Sequence, residues 1–186
     1  MKPILIILFF SLLLLPGACS AVREGRSIAG QIEGGRIIPD SASRIYISIL
    51  PGRGVPPEFS EELMLSLKTA ISLDGRLTPV ASEGESDLGL LLRPVLYGDQ
   101  GILFDSAGRV VKRRIWLTVS VTLADRPSGK IIIRDKDADL SVEFDPDITE
   151  ITEAYRLLAE RTSAAVLSII HTGWAGKGPG AGKEVP

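Results

Sequence analysis

Residues 109–123, RVVKRRIWLTVSVTL, decide the fold because apolar and polar side chains alternate strictly from Arg114 to Leu123. A period of two in a stretch rich in β-branched residues predicts a strand with one face on a hydrophobic core. The other face is polar but includes Trp116, and four basic residues surround its start: Arg109, Lys112, Arg113 and Arg114. This second face either meets a partner or is an ordinary solvated sheet face, and alternation alone favours the solvated face.

Helical and strand patterns flank this segment on both sides. Alternation predicts a first strand over residues 44–50, and an apolar stripe from Phe59 to Ile71 predicts a first helix that ends at Gly75. Residues 147–150 resemble the N-terminal cap of a second helix. The predicted buried stripe of that helix is Ile151, Ala154, Tyr155, Leu158, Ala165 and Ile169, with Thr162 in register.

The remaining strands form a predicted meander between the helices. Residues 87–97 are one strand, in which Pro94 implies a bulge or an edge position, and residues 99–108 are its connection to the central strand. A partner strand starts over residues 130–134, the charged residues 135–139 interrupt it, and residues 140–144 are expected to continue it beyond a bulge or kink. We therefore predict an α+β fold, with two helices packed on one face of a mostly antiparallel four- to five-stranded sheet.

Composition argues against several function classes. The 186 residues suit one domain, and 21 basic against 23 acidic residues leave no positive field for nucleic acid. The single histidine, His171, ends the second helix, so neither a zinc site nor a nucleophile with a base is predicted. Asp135, Asp137 and Asp139 lack the glycine and distal glutamate of a calcium loop. We expect a protein that is not an enzyme and that has no metal or cofactor.

The N-terminus has the features of a secretory leader. Residues 4–15 are apolar except for one serine, and they are too few to span a bilayer comfortably. Small residues then precede Cys19, the only cysteine, which resembles a bacterial lipobox with Pro16 where leucine is usual. We predict that Cys19 is acylated and attaches the protein to the membrane. The alternative is an ordinary secretory signal that is cleaved nearby and removes Cys19.

This interpretation divides the chain into four parts. A serine after Cys19, in place of aspartate, favours the outer membrane under the sorting rule of enteric bacteria. The protein is then expected to be lipid-anchored on the periplasmic side. The parts are a signal peptide (1–18), a tether (19–40), an α+β domain (41–174) and a disordered Gly/Pro-rich tail (175–186).

Short sequence pieces spread from Ile38 to Glu160 carry a family resemblance. They are Ile38-Pro39, Glu62-Leu63, Leu67, Leu73–Leu77, Ser86–Leu88, Asp105–Arg109, Ile115–Val121, Leu123–Asp125, Ser128–Lys130 and Leu158–Glu160. Together with the lipobox and the closing helix, they resemble the LptE family of outer-membrane lipopolysaccharide-assembly lipoproteins.

The resemblance implies both a partner and a ligand. Proteins of this family plug the large β-barrel of the translocon protein LptD, assist its folding and help to deliver lipopolysaccharide to the cell surface. Basic residues near the hairpin tip and before the last helix are implied to bind lipopolysaccharide, which points here to Arg109, Lys112, Arg113 and Arg114. This chain departs from the family at Asp105 in the tip and in the acidic residues 145–150.

A second function class is compatible with the same features. Other bacterial lipoproteins with a small α+β domain recruit or activate envelope partners, for example as regulators of peptidoglycan synthases or as components of secretion pores. A pore component needs long amphipathic hairpins that this chain is too short to supply. Co-purification of a large barrel would distinguish the plug from the recruiter.

Overall fold

The computed structural model describes residues 38–172. The predicted signal peptide, Cys19, nearly all of the tether and the predicted tail lie outside these residues. The elements are β1 (Arg44–Ile49), α1 (Pro57–Asp74), β2 (Thr78–Val80), β3 (Leu88–Phe104), β4 (Val110–Asp125), β5 (Ile131–Phe144) and α2 (Ile151–Thr172). Among them, neither helix has the length and apolar composition needed to cross a bilayer.

The five strands form one mixed sheet in the order β2-β1-β3-β4-β5. β1 runs parallel to both of its neighbours, whereas β3, β4 and β5 form an antiparallel meander. The helices cover one face, so the predicted α+β class and its two-helix layer are confirmed. In strand direction, the sheet differs from the prediction in having two parallel pairs.

The central strand β4 supplies the middle of the core. Its alternating apolar residues, from Ile115 to Leu123, are at most 1% exposed, as are Ile45 of β1 and Leu90 of β3. Each such side chain stabilises the fold by roughly 1.5–3 kcal/mol relative to an exposed one. The intervening residues of β4, including Trp116, lie on the uncovered face.

β3 is longer than predicted, and the connection over residues 99–108 is wrong. The strand continues to Phe104, so only residues 105–109 form the turn. Gly98 and Gly101 resemble loop residues in sequence, but side chains of β4 approach both of them closely. Such glycines allow close packing within a sheet. The predicted bulge at Pro94 is confirmed by a shift in register there.

The predicted interruption at residues 135–139 is also wrong, whereas the predicted continuation of the strand over residues 140–144 is confirmed. β5 is continuous, and its residues from Lys136 onward pair regularly with β4. Two register shifts lie before Lys136, and one of them accompanies Asp135, whose φ is 44°. Bulges near the start of β5 therefore precede the charged stretch, and the ladder continues through it.

The two helices end and pack mostly as predicted. Gly75 adopts φ 75° directly after α1, as a left-handed C-cap. The buried residues of α2 are Ala154, Leu158, Ala159, Thr162, Ser163, Val166 and Ile170. Of the predicted stripe, Ala154, Leu158 and Thr162 are buried, whereas Ile151, Tyr155, Ala165 and Ile169 are only partly buried. α2 packs against α1 as well as the sheet, and Ser163 donates to Ser66 Oγ at 2.9 Å.

Candidate functional site

The β3–β4 hairpin carries all four predicted lipopolysaccharide-binding residues near its turn. β1 ends opposite Leu92, so the hairpin continues beyond the part of β3 that β1 covers. Alternation along β4 separates the four cations: Lys112 and Arg114 lie on the open face, whereas Arg113 lies on the helix face with Ile115. Arg109 lies in the turn. The structure therefore does not place them in one cluster.

A carboxylate in the turn holds Arg109. Asp105 Oδ1 accepts the backbone N–H groups of Ala107 and Arg109 at 2.9 Å, and Asp105 Oδ2 accepts Arg109 Nε at 2.8 Å. These hydrogen bonds, first those from Arg109, lower the pKa of Asp105. Gly108 allows the turn through its φ of 79°. The Arg109 side chain remains 81% exposed and is the most accessible of the four cations.

Lys112 and Arg114 share one carboxylate on the neighbouring strand. Lys112 Nζ lies 3.1 Å from Glu143 Oε2, and the Arg114 guanidinium bonds to Glu143 Oε1. The hydrogen bond from Arg114 and then that from Lys112 lower the pKa of Glu143. Glu143 lies directly opposite Arg114 in the β4–β5 register. Both cations are therefore neutralised in part on the open face.

Arg113 has a structural environment on the opposite face. Its Nη2 lies 2.6 Å from Asp99 Oδ2, and its Nε donates to Asp99 Oδ1 at 3.2 Å. The guanidinium also lies 5.9 Å from the ring centroid of Phe144. A bidentate ion pair combined with a cation–π contact fixes the position of the side chain. Arg113 is thus the least available of the four for a ligand.

The open face beside these residues has a shallow cleft of about 310 Å³ around Trp116. Its polar lining consists of Gln100, Arg114, Thr118, Asp139 and Ser141. The indole lies over Gly98, where an added Cβ would come within 2.0 Å of the ring. Trp116 is therefore packed against β3, and it is not a freely projecting side chain.

Other groups considered from the sequence have local partners. Asp139 accepts Thr118 Oγ1 at 2.6 Å, and Asp135 accepts Arg93 Nη2 at 3.3 Å. Within residues 38–172, no three His, Cys, Asp or Glu side chains are grouped so that they could hold a metal ion. His171 Nε2 lies 3.0 Å from Asp74 Oδ1 and joins the C-terminal ends of the two helices.

Sequence reasoning missed Asp99, Glu143 and Gly98. Asp99 and Glu143 lie 14 and 29 positions from their arginines. Only the strand register could reveal these pairs. The sequence offered one signal for Gly98, since a glycine in or beside a strand pattern can mark close cross-strand packing.

Comparison with known proteins shows the fold. No protein-family model matches the chain, and no curated protein sequence does either. A candidate lipoprotein from Caulobacter crescentus is 17% identical over 73% of this chain and 93% of its own length, with a TM-score of 0.51. The chain therefore shares the α+β fold of that protein.

Two further solved structures match less closely. The uncharacterized lipoprotein B of Nitrosomonas europaea is 17% identical over 78% of this chain and 88% of its own, with a TM-score of 0.47. The rare lipoprotein B of Shewanella oneidensis is 12% identical over 70% and 95%, with a TM-score of 0.49. We draw the shared fold from the Caulobacter protein alone.

Proposed function

We propose that this protein is a lipid-anchored outer-membrane lipoprotein that plugs an LptD-type β-barrel, assists its assembly and takes part in lipopolysaccharide transport. The proposal is supported by two features of the chain taken together. A lipobox-like sequence ends at Cys19, and the sequence pieces that resemble the LptE family lie in an α+β fold shared with a candidate lipoprotein. The role is non-enzymatic, and neither a metal nor a cofactor takes part in it.

Two pieces of the resemblance are neighbours in the fold. Asp105–Arg109 is the turn of the β3–β4 hairpin, and Ile115–Val121 is the centre of β4. This arrangement supports a hairpin that projects from a helix-backed sheet toward a partner. Among residues 38–172 the two helices cover only the other face, which supports contact of the same partner with the open sheet face.

Co-purification tests the barrel role. The full chain with a C-terminal tag is captured from native membranes in mild detergent, and the co-purifying proteins are identified. A large β-barrel in stoichiometric amount is the expected result, and it should be lost when Cys19→Ala keeps the protein out of the outer membrane. A peptidoglycan enzyme, or no barrel at all, would move the function to the recruiter class.

Direct lipid contact makes a separate prediction. Since Glu143 neutralises both Lys112 and Arg114, Glu143→Gln should raise the affinity for purified lipopolysaccharide about two- to fivefold. Asp137→Asn makes the same charge change on the same strand and is the matched control. The combined Lys112→Gln and Arg114→Gln variant should weaken binding.

The lipid test is independent of the barrel test. If all these variants bind lipopolysaccharide with equal affinity, the open-face cations do not contact it. That result would leave the proposed plug role unaffected. Binding is measured by calorimetry at low and at physiological salt, because contacts to phosphate weaken as salt screens them.

A further inference from the structure

The Trp116 ring lies flat on the open face of the sheet. An added Cβ at Gly98 would lie 2.0 Å from Cζ2 of the indole and 2.4 Å from both Cε2 and Cη2, the two atoms bonded to Cζ2. A Cβ in the plane of the ring would be much farther from those two neighbours, so this position lies above the ring. One face of the six-membered ring therefore packs on the backbone of Gly98.

The other face of the indole points away from the sheet. Trp116 is only partly buried, and it alternates along β4 with the buried residues that face the helices. Among residues 38–172, no aromatic ring or guanidinium stacks on it. The ring is thus a fixed apolar platform on a polar surface, and it borders the cleft of about 310 Å³.

Two side chains beside this platform have unused hydrogen-bonding groups. In the strand register, Gly98 and Ser141 flank Trp116, and Gln100 lies one step along the same face, opposite Arg114. Gln100 and Ser141 are exposed, and within residues 38–172 neither side chain makes a hydrogen bond. An amide and a hydroxyl group can each donate as well as accept, so both kinds of hydrogen bond are open to a ligand here.

The charges around the cleft disfavour an anionic ligand. The Arg114 guanidinium is bound to Glu143, which also pairs with Lys112. Asp139 Oδ1 accepts Thr118 Oγ1, and no cation within residues 38–172 pairs with this carboxylate. Asp139 therefore contributes a net negative charge and a further acceptor to the lining.

We propose that this cleft binds an uncharged saccharide, with a sugar ring stacked on the Trp116 indole and hydrogen-bonded to Gln100, Ser141 and Asp139. A pyranose ring has the matching chemistry, because its C–H groups form an apolar face and its hydroxyl groups donate and accept around the rim. A phosphate group would be repelled by Asp139, and an acyl chain would leave the polar side chains without partners. The cleft is at the lower end of the range for small-molecule sites, roughly 300–1,000 Å³, which suits a short piece of a glycan.

The saccharide site does not depend on the proposed function. It uses an uncharged ligand and the Trp116 platform, whereas the barrel role is tested by co-purification and the lipid contact by the charges of Lys112 and Arg114. Failure of either proposal would therefore leave the other standing.

Fluorescence titration of the full chain tests the stacking. The chain has two tryptophans, so Trp174→Phe leaves Trp116 as the only one. The protein is held in a detergent without a sugar headgroup, and the probes are the uncharged oligosaccharides chitotetraose and maltotetraose. At least one of them should shift the Trp116 emission to shorter wavelength in a saturable way, because the sugar displaces water from the ring face.

An acidic oligosaccharide supplies the control for charge. Tetragalacturonate is similar in length to the neutral probes, and it should bind about tenfold more weakly because Asp139 repels its carboxylates. Binding of neither neutral probe, or binding of the acidic probe with equal affinity, overturns the proposal. The better neutral probe also tells whether the site prefers N-acetylhexosamine or hexose.

Variants of the lining locate the site by calorimetric titration with the better probe. Gln100→Ala and Ser141→Ala should each weaken binding about three- to tenfold, since each removes one hydrogen bond to the ligand and none within the fold. Trp116→Ala should weaken it by more than about tenfold. Affinity that is unchanged in both Gln100→Ala and Ser141→Ala contradicts this location, even where Trp116→Ala does not fold.

Tyr46→Ala is the matched control for the platform. Tyr46 alternates with the buried Ile45 and Ile47 and so lies on the same open face, opposite Gly89 of β3. Nine residues along β3 separate Gly89 from Gly98, which is roughly 30 Å. Tyr46→Ala should leave the affinity unchanged, and a loss equal to that of Trp116→Ala would overturn the assignment of the platform to Trp116.

Discussion

At the scale of single residues, the position of the Trp116 ring depends on the absence of a side chain at Gly98. They lie opposite each other in the β3–β4 register, and an alanine Cβ at Gly98 would lie 2.0–2.4 Å from three ring atoms of the indole. The indole must therefore move before any side chain can be accommodated. We expect Gly98→Ala to lower the free energy of unfolding by about 1–3 kcal/mol.

A double-mutant cycle measured by urea unfolding and circular dichroism checks this prediction. In a Trp116→Ala background the same glycine substitution should cost much less, because the ring it collides with is absent. Gly84→Ala, where an added Cβ would meet only Ser82 at 3.8 Å, is the control. Additive effects of the Gly98 and Trp116 substitutions would contradict this account.

Asp87 ties the start of β1 to β3 and should make stability depend on acid. Its carboxylate accepts the Arg44 guanidinium and the backbone N–H groups of Ser43 and Arg44. The hydrogen bond from the Arg44 side chain and then those from the two backbone groups lower the pKa of Asp87 well below its usual range. Because the folded pKa lies below the unfolded value, the stabilisation is complete above about pH 5 and decreases as the pH falls through about pH 4 toward pH 2.

Thermal unfolding of Asp87→Asn over this pH range gives the measurement. The melting temperature of the variant should lie below that of the parent at pH 7, and the two should converge as the pH falls toward 2. Asp137→Asn removes an exposed carboxylate on β5 and serves as the control. If the melting temperatures of Asp87→Asn and the parent differ by the same amount at every pH, protonation of Asp87 does not contribute to the loss of stability in acid.

At the scale of elements, two adjacent isoleucines in the last turns of α2 differ in burial. Ile170 is fully buried, whereas Ile169 is only partly buried, although the pattern of apolar residues indicates Ile169. Ile170→Ala should lower the free energy of unfolding by about 2–5 kcal/mol, and Ile169→Ala by less than half of that. Denaturant titrations of the two variants check this prediction. Equal losses of unfolding free energy would show that Ile169 contributes to the core as much as Ile170 does.

The same helix shows which parts of the elements could be predicted from the sequence. Spacing identified Ala154, Leu158 and Thr162. Which residues beside them are fully buried depends on how α2 lies between α1 and the sheet, and the sequence of α2 alone does not encode that. β3 is similar. Pro94 correctly indicated a bulge, whereas the continuation of the strand through residues 99–104 was missed because the β4 side chains that pack on Gly98 and Gly101 are distant in sequence.

The candidate site was less predictable than the fold for the same reason. Four basic residues close together in sequence suggested one positive surface near the turn. Strand alternation instead separates them between two faces, and Asp99, Asp105 and Glu143 neutralise them. These partners come from β3, the turn and β5, so their effect emerges only once the register is known.

At the scale of the whole molecule, residues 38–172 contain a continuous buried core of their own. Its described members run from Ile38, before β1, to Ile170, near the end of α2. A chain of residues 36–174 should therefore unfold in one cooperative transition, with a melting temperature within about 4 °C of that of the full chain. Calorimetry of both chains in the same detergent gives the comparison.

A shorter chain supplies the control for this prediction. Ending the protein after Leu167 removes Ile170 and the His171–Asp74 contact, and it should lower the melting temperature far more than removal of residues 175–186. If residues 36–174 instead unfold at a much lower temperature, the excluded segments must contribute to the core. Deleting residues 19–35 and residues 175–186 separately would then show which of them does so.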